Sequence, residues 1–254
     1  MIDFKKYKRF FAFGCSMTRY HWPTWADIIG HEIPEYYNYG KSGGGNIFIA
    51  SQLAEAKLRY KFNADDLVIA MWSTVTREDR YVNGSWETPG NIYSQGFYDQ
   101  EFLKKYVDSR GQLIRDLSAI TMTAGLLSST DSDYHMLNMS PITVSPSPYL
   151  EGEQQYDDVL NLFKPTIDKL LPDLLSTGCN GEWKMLPIRH NVPGGQSADY
   201  HPSPKVHFNY LTKVFPNTIW SQSTIDSVEH HNTIVLGASI LDNLTYQAEW
   251  PARL

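Results

Sequence analysis

The chain has 254 residues, 42% hydrophobic and 20% charged, with a formal net charge of −6. That length and composition give a chain able to bury a core, as one large domain or two small ones, and exclude intrinsic disorder. A mildly acidic chain without a Lys/Arg block offers nothing for nucleic acid or an anionic membrane, and no apolar run reaches the roughly 18 residues of a bilayer span.

The N-terminal "MIDFKKYKRFFAFG" is charged and runs straight into an apolar segment. It has no separate apolar region with a small-residue cleavage site, so no signal peptide and a cytoplasmic location are expected. Residues 9–14, "RFFAFG", form an apolar run ending at Gly14, the pattern of a buried strand. In "WPTWADIIGHEI", Trp22, Trp25, Ile28 and Ile29 recur at helical spacing, with Pro23 in the first turn. The aromatic-rich "EYYNYG", 35–40, predicts a second strand. A helix over 47–60 follows, with Asn46 as its cap. "DDLVIAMW", 65–72, is a third strand, and 80–98 reads as a long irregular loop rich in Tyr and Trp. Its rings could form a wall for a sugar or simple packing.

A long helix is predicted over 99–128, broken near Gly111, then a fourth strand over 134–142. "VSPSPYLEGEQQ", 144–155, is a loop, and 155–176 is helical in pieces around Pro165 and Pro172. "EWKMLPI", 182–188, predicts a fifth strand, followed by a Gly/Pro/His-rich loop over 189–204 and a helix over 205–214. The tail from 217 is ambiguous, and "NTIVLGASIL" suits a strand or a helix. The alternation predicts an α/β three-layer sandwich, flavodoxin-like: about five parallel strands with helices on both faces. One domain over 1–254 is expected, with insertions near 80–98 and 143–181 and an extension over 217–254. Two cysteines, Cys15 and Cys179, make no disulfide framework and indicate a reducing compartment.

In an open α/β sheet the site lies beyond the carboxyl ends of the strands. That places Ser16, Gly43, Ser73 and the 189–204 loop on one rim. A serine just after a strand can be a helix cap, or a nucleophile whose hydroxyl a base deprotonates beside backbone N–H donors.

"GCSMT", 14–18, resembles block I of the SGNH/GDSL hydrolase superfamily, G-x-S-x-T/S, and "WPTWADII" resembles the W-P-x-x-L that follows it. "NYGKSGGGN", 38–46, resembles block II, N-x-x-x-S-G, with its glycine at Gly43. "SADYHPSPKVH", 197–207, resembles block V, an Asp/His pair before proline. The resemblance covers the two ends of 9–215 and implies an SGNH-type sandwich. It implies a serine esterase for small acyl esters, such as O-acetyl on a carbohydrate, without a cofactor or metal. Ser16 is then the nucleophile, His201 the base and Asp199 its orienting carboxylate. Backbone N–H groups of Ser16 and Gly43 hold the oxyanion, and Asn46, Trp72, Arg77 and His190 contact substrate.

Two departures accompany it. Block III carries G-x-N-D, whose Asn is the third oxyanion donor; here "AMWSTVTRED" puts Ser73 there, or Thr74 with a one-residue slip. A hydroxyl can donate one hydrogen bond, and Asn46 could substitute from the neighbouring loop. The family's D-x-x-H is shortened to D-x-H at Asp199–His201, which allows either a triad or a Ser16–His201 dyad. "WST…R" and "D-x-H-P-x-P" resemble a divergent branch frequent in phage and marine metagenomic sequences, which implies a virus-encoded origin. The competing reading is a degraded scaffold that binds a ligand or belongs to a virion.

Other readings are weaker. "YGKSGGG" ends like a Walker A loop, but Glu35 stands where the leading glycine belongs. His207 is expected to be structural, and His230–His231 with Asp226 and Glu229 match no metal-ligand spacing. Cys15 is expected to be a small packed residue.

Overall fold

The computed structural model describes residues 2–93, 97–142, 156–192 and 195–238, without the side chains of 190–196. Four parallel strands form the central sheet: β1 (Arg9–Gly14), β2 (Glu35–Gly40), β3 (Asp66–Trp72) and β6 (Asp133–Asn138), in the order β2-β1-β3-β6. Two small antiparallel hairpins stand apart from it, β4 (Arg80–Val82) with β5 (Ser85–Glu87), and β7 (Arg189–Val192) with β8 (Gly195–Ala198). The helices are α1 (Trp25–Gly30), α2 (Asn46–Tyr60), α3 (Gln100–Tyr106), α4 (Ser109–Ser128), α5 (Asp157–Leu162), α6 (Lys164–Ile167), α7 (Leu174–Gly178), α8 (Pro204–Val214) and α9 (Gln222–Gly237).

The central strands β1 and β3 are buried along almost their whole length and, after Arg9 and Asp66, are apolar, because both faces of the sheet are covered. Side chains alternate between two cores. Phe10, Ala12, Leu67, Ile69, Met71 and Leu137 pack with Trp25, Tyr210, Leu211 and Val228 of α1, α8 and α9. Phe11, Phe13, Val68, Ala70, Trp72 and Met136 pack with Phe48, Leu53, Leu117 and Ile120 of α2 and α4. Register pairs Phe11 with Tyr37 and Phe13 with Tyr39, and these rings stack at 4.8 and 5.0 Å. Such pairs add about 0.5–1.5 kcal/mol each beyond area burial.

Among the described residues the sheet has four strands, not five. Residues 182–188 do not join it. The N–H of Leu186 donates to the Asp199 carbonyl at 2.8 Å, and Asp199 N–H to the Ile188 carbonyl at 3.3 Å, which prolongs the β7–β8 hairpin. Ile188 is buried instead with Trp22 and Val235 in a third cluster. The outer edge of β6 is closed by other groups: N–H donors of Leu171 and Leu175 reach the carbonyls of Met136 and Met139 at 2.9 and 3.0 Å. An edge so capped offers no ladder to a further strand.

Several boundaries move for local reasons. α1 starts at Trp25, because Thr24 and Asp27 form a capping box, and Pro23 stays outside. The break in the long helix precedes Gly111, whose N–H donates to the capping Asp108 side chain at 2.6 Å. The 80–98 segment contains the β4–β5 hairpin, and the ambiguous tail is helical over α9, capped by Ser221. The predicted loop 144–155 and the residues after 238 lie outside the described residues.

Candidate active site

The β1 strand ends at Gly14, and the chain turns at once. N–H groups of Thr18 and Arg19 both donate to the Cys15 carbonyl, at 2.9 and 3.2 Å. A Cβ at Gly14 would lie 1.9 Å from Thr18 Oγ1, so only glycine lets the turn fold back this closely. The Thr18 carbonyl accepts from Thr24 Oγ1 at 2.7 Å and from Asn38 Nδ2 at 2.9 Å, which ties the turn to α1 and β2. Ser16 is held on this turn and is 6% exposed.

Ser16 Oγ lies 2.8 Å from His201 Nε2, and His201 Nδ1 lies 3.0 Å from Asp199 Oδ1. Asp199 Oδ1 also accepts from the His201 backbone N–H at 2.7 Å, and Oδ2 accepts from the Tyr20 hydroxyl at 2.6 Å. Burial works against the Asp199 charge, but the bonds from His201 and Tyr20 outweigh it and hold the carboxyl below its ordinary value. An ionised carboxylate only accepts, so Nδ1 carries the proton and Nε2 faces Ser16 with a lone pair. Ser16, His201 and Asp199, separated by up to 185 positions, thus form one continuous chain of contacts. The shortened D-x-H spacing does not keep the carboxylate from the imidazole.

Gly43 sits in the left-handed region at φ +73°, and a Cβ there would lie 2.0 Å from the Thr88 carbonyl oxygen. Its loop is pinned on several sides. Lys41 N–H donates to the Gly14 carbonyl at 3.1 Å, Thr88 Oγ1 to the Ser42 carbonyl at 2.7 Å, and Arg77 Nη1 to the Gly44 carbonyl at 2.9 Å. Asp79 accepts from the N–H groups of Gly45 and Phe48, both at 2.9 Å, at the start of α2. The Lys41 ammonium turns to the Trp86 carbonyl. Among the described residues, neither Ser16 nor Gly43 has its backbone N–H in a hydrogen bond.

Other sequence-selected residues stand elsewhere. Asn46 does not cap α2; Gly45 takes that position without a side-chain bond. Asn46 is fully buried, with Nδ2 donating to the Ser73 carbonyl and to Asp116 Oδ2 at 3.1 and 2.8 Å, and Oδ1 accepting from Ser73 N–H at 2.8 Å. Both its donors are engaged, so it neither replaces the third oxyanion donor nor reaches a substrate. Burial pushes the Asp116 carboxyl up to about 6 despite Arg115 and Asn46. Trp72 is fully buried in the core facing α2 and α4. Ser73 is buried, and its hydroxyl donates to Met139 Sδ at 3.6 Å, a weak acceptor; Thr74 beside it is half-buried. Met139 Sδ also receives Cys15 Sγ at 3.8 Å and Arg77 Nη2 at 3.7 Å. Arg77 therefore braces the glycine loop. The His190 side chain lies outside the described residues.

Beside His201 opens a cleft of about 520 Å³, lined among others by Met17, His21, Ser42, Trp183, Tyr200 and His201, with no Lys or Arg among the described residues. Tyr20, which no motif marks, stacks on His201 with ring centroids 3.7 Å apart. Its position four residues after Ser16 is the only sequence cue that could have found it. His207 is buried behind the site, and burial, aided by His201, pushes its pKa down to about 3. Among the described residues no three His, Cys, Asp or Glu side chains group to hold a metal ion, and no helix is long and apolar enough to cross a membrane.

No family model matches the chain, and no curated protein matches it. Among solved structures it is similar to a catalytic mutant of Axe2, an acetylxylan esterase from Geobacillus stearothermophilus, at 13% identity over 91% of this chain and 94% of that one. The TM-score is 0.30.

Proposed function

We propose that the protein is a serine esterase of SGNH type that hydrolyses small acyl esters, with O-acetylated carbohydrate as the substrate class. The observation that carries this is the unbroken run from Ser16 Oγ through His201 to the buried, ionised Asp199. Ser16 Oγ attacks the ester carbonyl carbon while its proton passes to His201 Nε2. The imidazolium faces Asp199, and the oxyanion receives the unengaged N–H groups of Ser16 and Gly43. The tetrahedral adduct collapses, and the alkoxide leaves as alcohol with the proton from His201. Water then attacks the acyl-serine, His201 takes its proton, and the acid departs as Ser16 recovers its hydrogen.

Ser73 or Thr74 serves as the third donor. For Ser73 this means turning its hydroxyl from the Met139 sulfur, a bond weak enough to give up. The carbohydrate reading is supported by the neighbouring cleft, whose Trp183 and Tyr200 suit the apolar face of a sugar ring. The described lining carries no Lys or Arg, which suits a neutral ligand rather than a phosphate or a free acid.

A second reading, a ligand-binding scaffold without turnover, is favoured by Ser73 alone, whose N–H and hydroxyl both have other partners. A fluorophosphonate probe separates the two. Labelling at Ser16, mapped by mass spectrometry and lost in Ser16→Ala and His201→Ala, is the expected outcome. No adduct, together with no hydrolysis of an aryl acetate, would sink the esterase reading.

A further inference from the structure

We propose that Tyr20 is the positioning residue for the base, holding Asp199 with its hydroxyl and His201 with its ring. The inference rests on the esterase reading. The short D-x-H spacing makes one carboxylate oxygen, Oδ1, serve both the backbone N–H and Nδ1 of His201, at 2.7 and 3.0 Å. Tyr20 engages the other oxygen, donating to Oδ2 at 2.6 Å from 179 positions away in sequence, so the carboxylate is held at both ends.

The ring acts separately. It lies parallel to the imidazole, with centroids 3.7 Å apart and 16° between planes, and covers one face of it. A rotation of His201 that moved Nε2 away from Ser16 would collide with this ring. The face of a phenol ring also favours an imidazolium over it, which is the state His201 reaches when it takes the Ser16 proton. The support behind Tyr20 is rigid. Trp22 is buried, meets the Tyr20 ring edge-on at 4.6 Å, and donates from Nε1 to the Pro202 carbonyl at 2.8 Å.

Tyr20 and Trp22 therefore clamp the 199–202 loop from two directions, and they follow Ser16 by only four and six residues. One short segment thereby sets the distance from nucleophile to base. The Tyr20 hydroxyl keeps its proton throughout, since burial and then the bond to Asp199 push its pKa up. Among the described residues, His201 meets Ser16, Asp199 and Tyr20, has the buried His207 behind it, and shares its cleft with His21 and Tyr200.

Tyr20→Phe keeps the ring and removes the bond; Tyr20→Leu removes both. On an aryl acetate, kcat should fall about tenfold in the first and about 100-fold in the second, the range typical of groups that orient a catalytic residue, with KM unchanged. Proton NMR supplies a readout independent of turnover. A downfield Nδ1–H resonance, assigned by its loss in His201→Ala, is expected in the native protein and in Ser16→Ala, and should shift or vanish in Tyr20→Phe. A kcat within about twofold of native in Tyr20→Phe, a raised KM at constant kcat, or an unmoved resonance overturns the proposal. Should Ser16 fail to label, the esterase reading falls and the resonance alone decides the role of Tyr20.

Discussion

His207 makes the fold sensitive to acid, and the size of the effect follows from its burial. The residue is 1% exposed, its Nδ1 has no hydrogen-bond partner among the described residues, and its pKa lies near about 3. In the unfolded chain a histidine binds its proton at about 6.5. Between those values the unfolded state holds the extra proton, so the fold is weakened as pH falls through that window. At about pH 5 the loss relative to neutral pH is about 2 kcal/mol, from roughly 1.5 pH units below 6.5 at about 1.36 kcal/mol each. His207→Leu fills similar volume with no titrating group. Urea unfolding of both proteins at about pH 7 and about pH 5 should show the native protein losing about 2 kcal/mol more than the variant. Asp116 and other carboxylates titrate in both proteins and cancel in that difference. Parallel stability changes in the two would refute the reasoning and would mean that His207 is protonated in the fold.

Three further outcomes are expected. Asp199→Asn can keep an oxygen toward His201 while its amide faces the Tyr20 hydroxyl, so the chain should fold. Its kcat on an aryl acetate should fall about 10³–10⁴-fold, whereas a loss below about tenfold would show a working Ser16–His201 dyad. Because the folded Asp199 carboxyl lies below its ordinary value, its charge adds stability that is present above about pH 4 and lost only as pH falls through the lower folded value. Gly43→Ala combines a φ of +73° with a Cβ 2.0 Å from the Thr88 oxygen, so the loop must shift. Its kcat should drop about 10²-fold through the displaced N–H while circular dichroism stays native, and unchanged kcat would remove Gly43 from the oxyanion hole.

The strands of the sheet were legible because their signals are local. "RFFAFG", "EYYNYG" and "DLVIAMW" are apolar or aromatic runs between turn residues, and each became a strand. "EWKMLPI" carries the same local signal and failed. Its fate depended on whether an open sheet edge awaited it, and Leu171 and Leu175 had already closed that edge. The helix ends moved for a related reason: Asp108 and Thr24 had partners that periodicity does not weigh.

The motif resemblance pointed to Ser16, Gly43, Asp199 and His201, and the structure brings Ser16, His201 and Asp199 within hydrogen-bond distance of one another. The same logic misplaced Trp72 and Asn46. Alternation along β3 turns Trp72 into the core, and the Asn46 amide is claimed by Ser73 and by Asp116, 70 positions on. What the sequence determined by itself was the strand–helix rhythm, the glycine that permits the turn at 14, and the residue types gathered on one rim. Only the tertiary structure decided that Tyr20 would reach Asp199, that Trp22 would hold Pro202, and that the Ser73 hydroxyl would face a sulfur. Backbone conformation is governed by neighbours in the chain, whereas a buried hydrogen bond is governed by whichever group packing brings within about 3 Å.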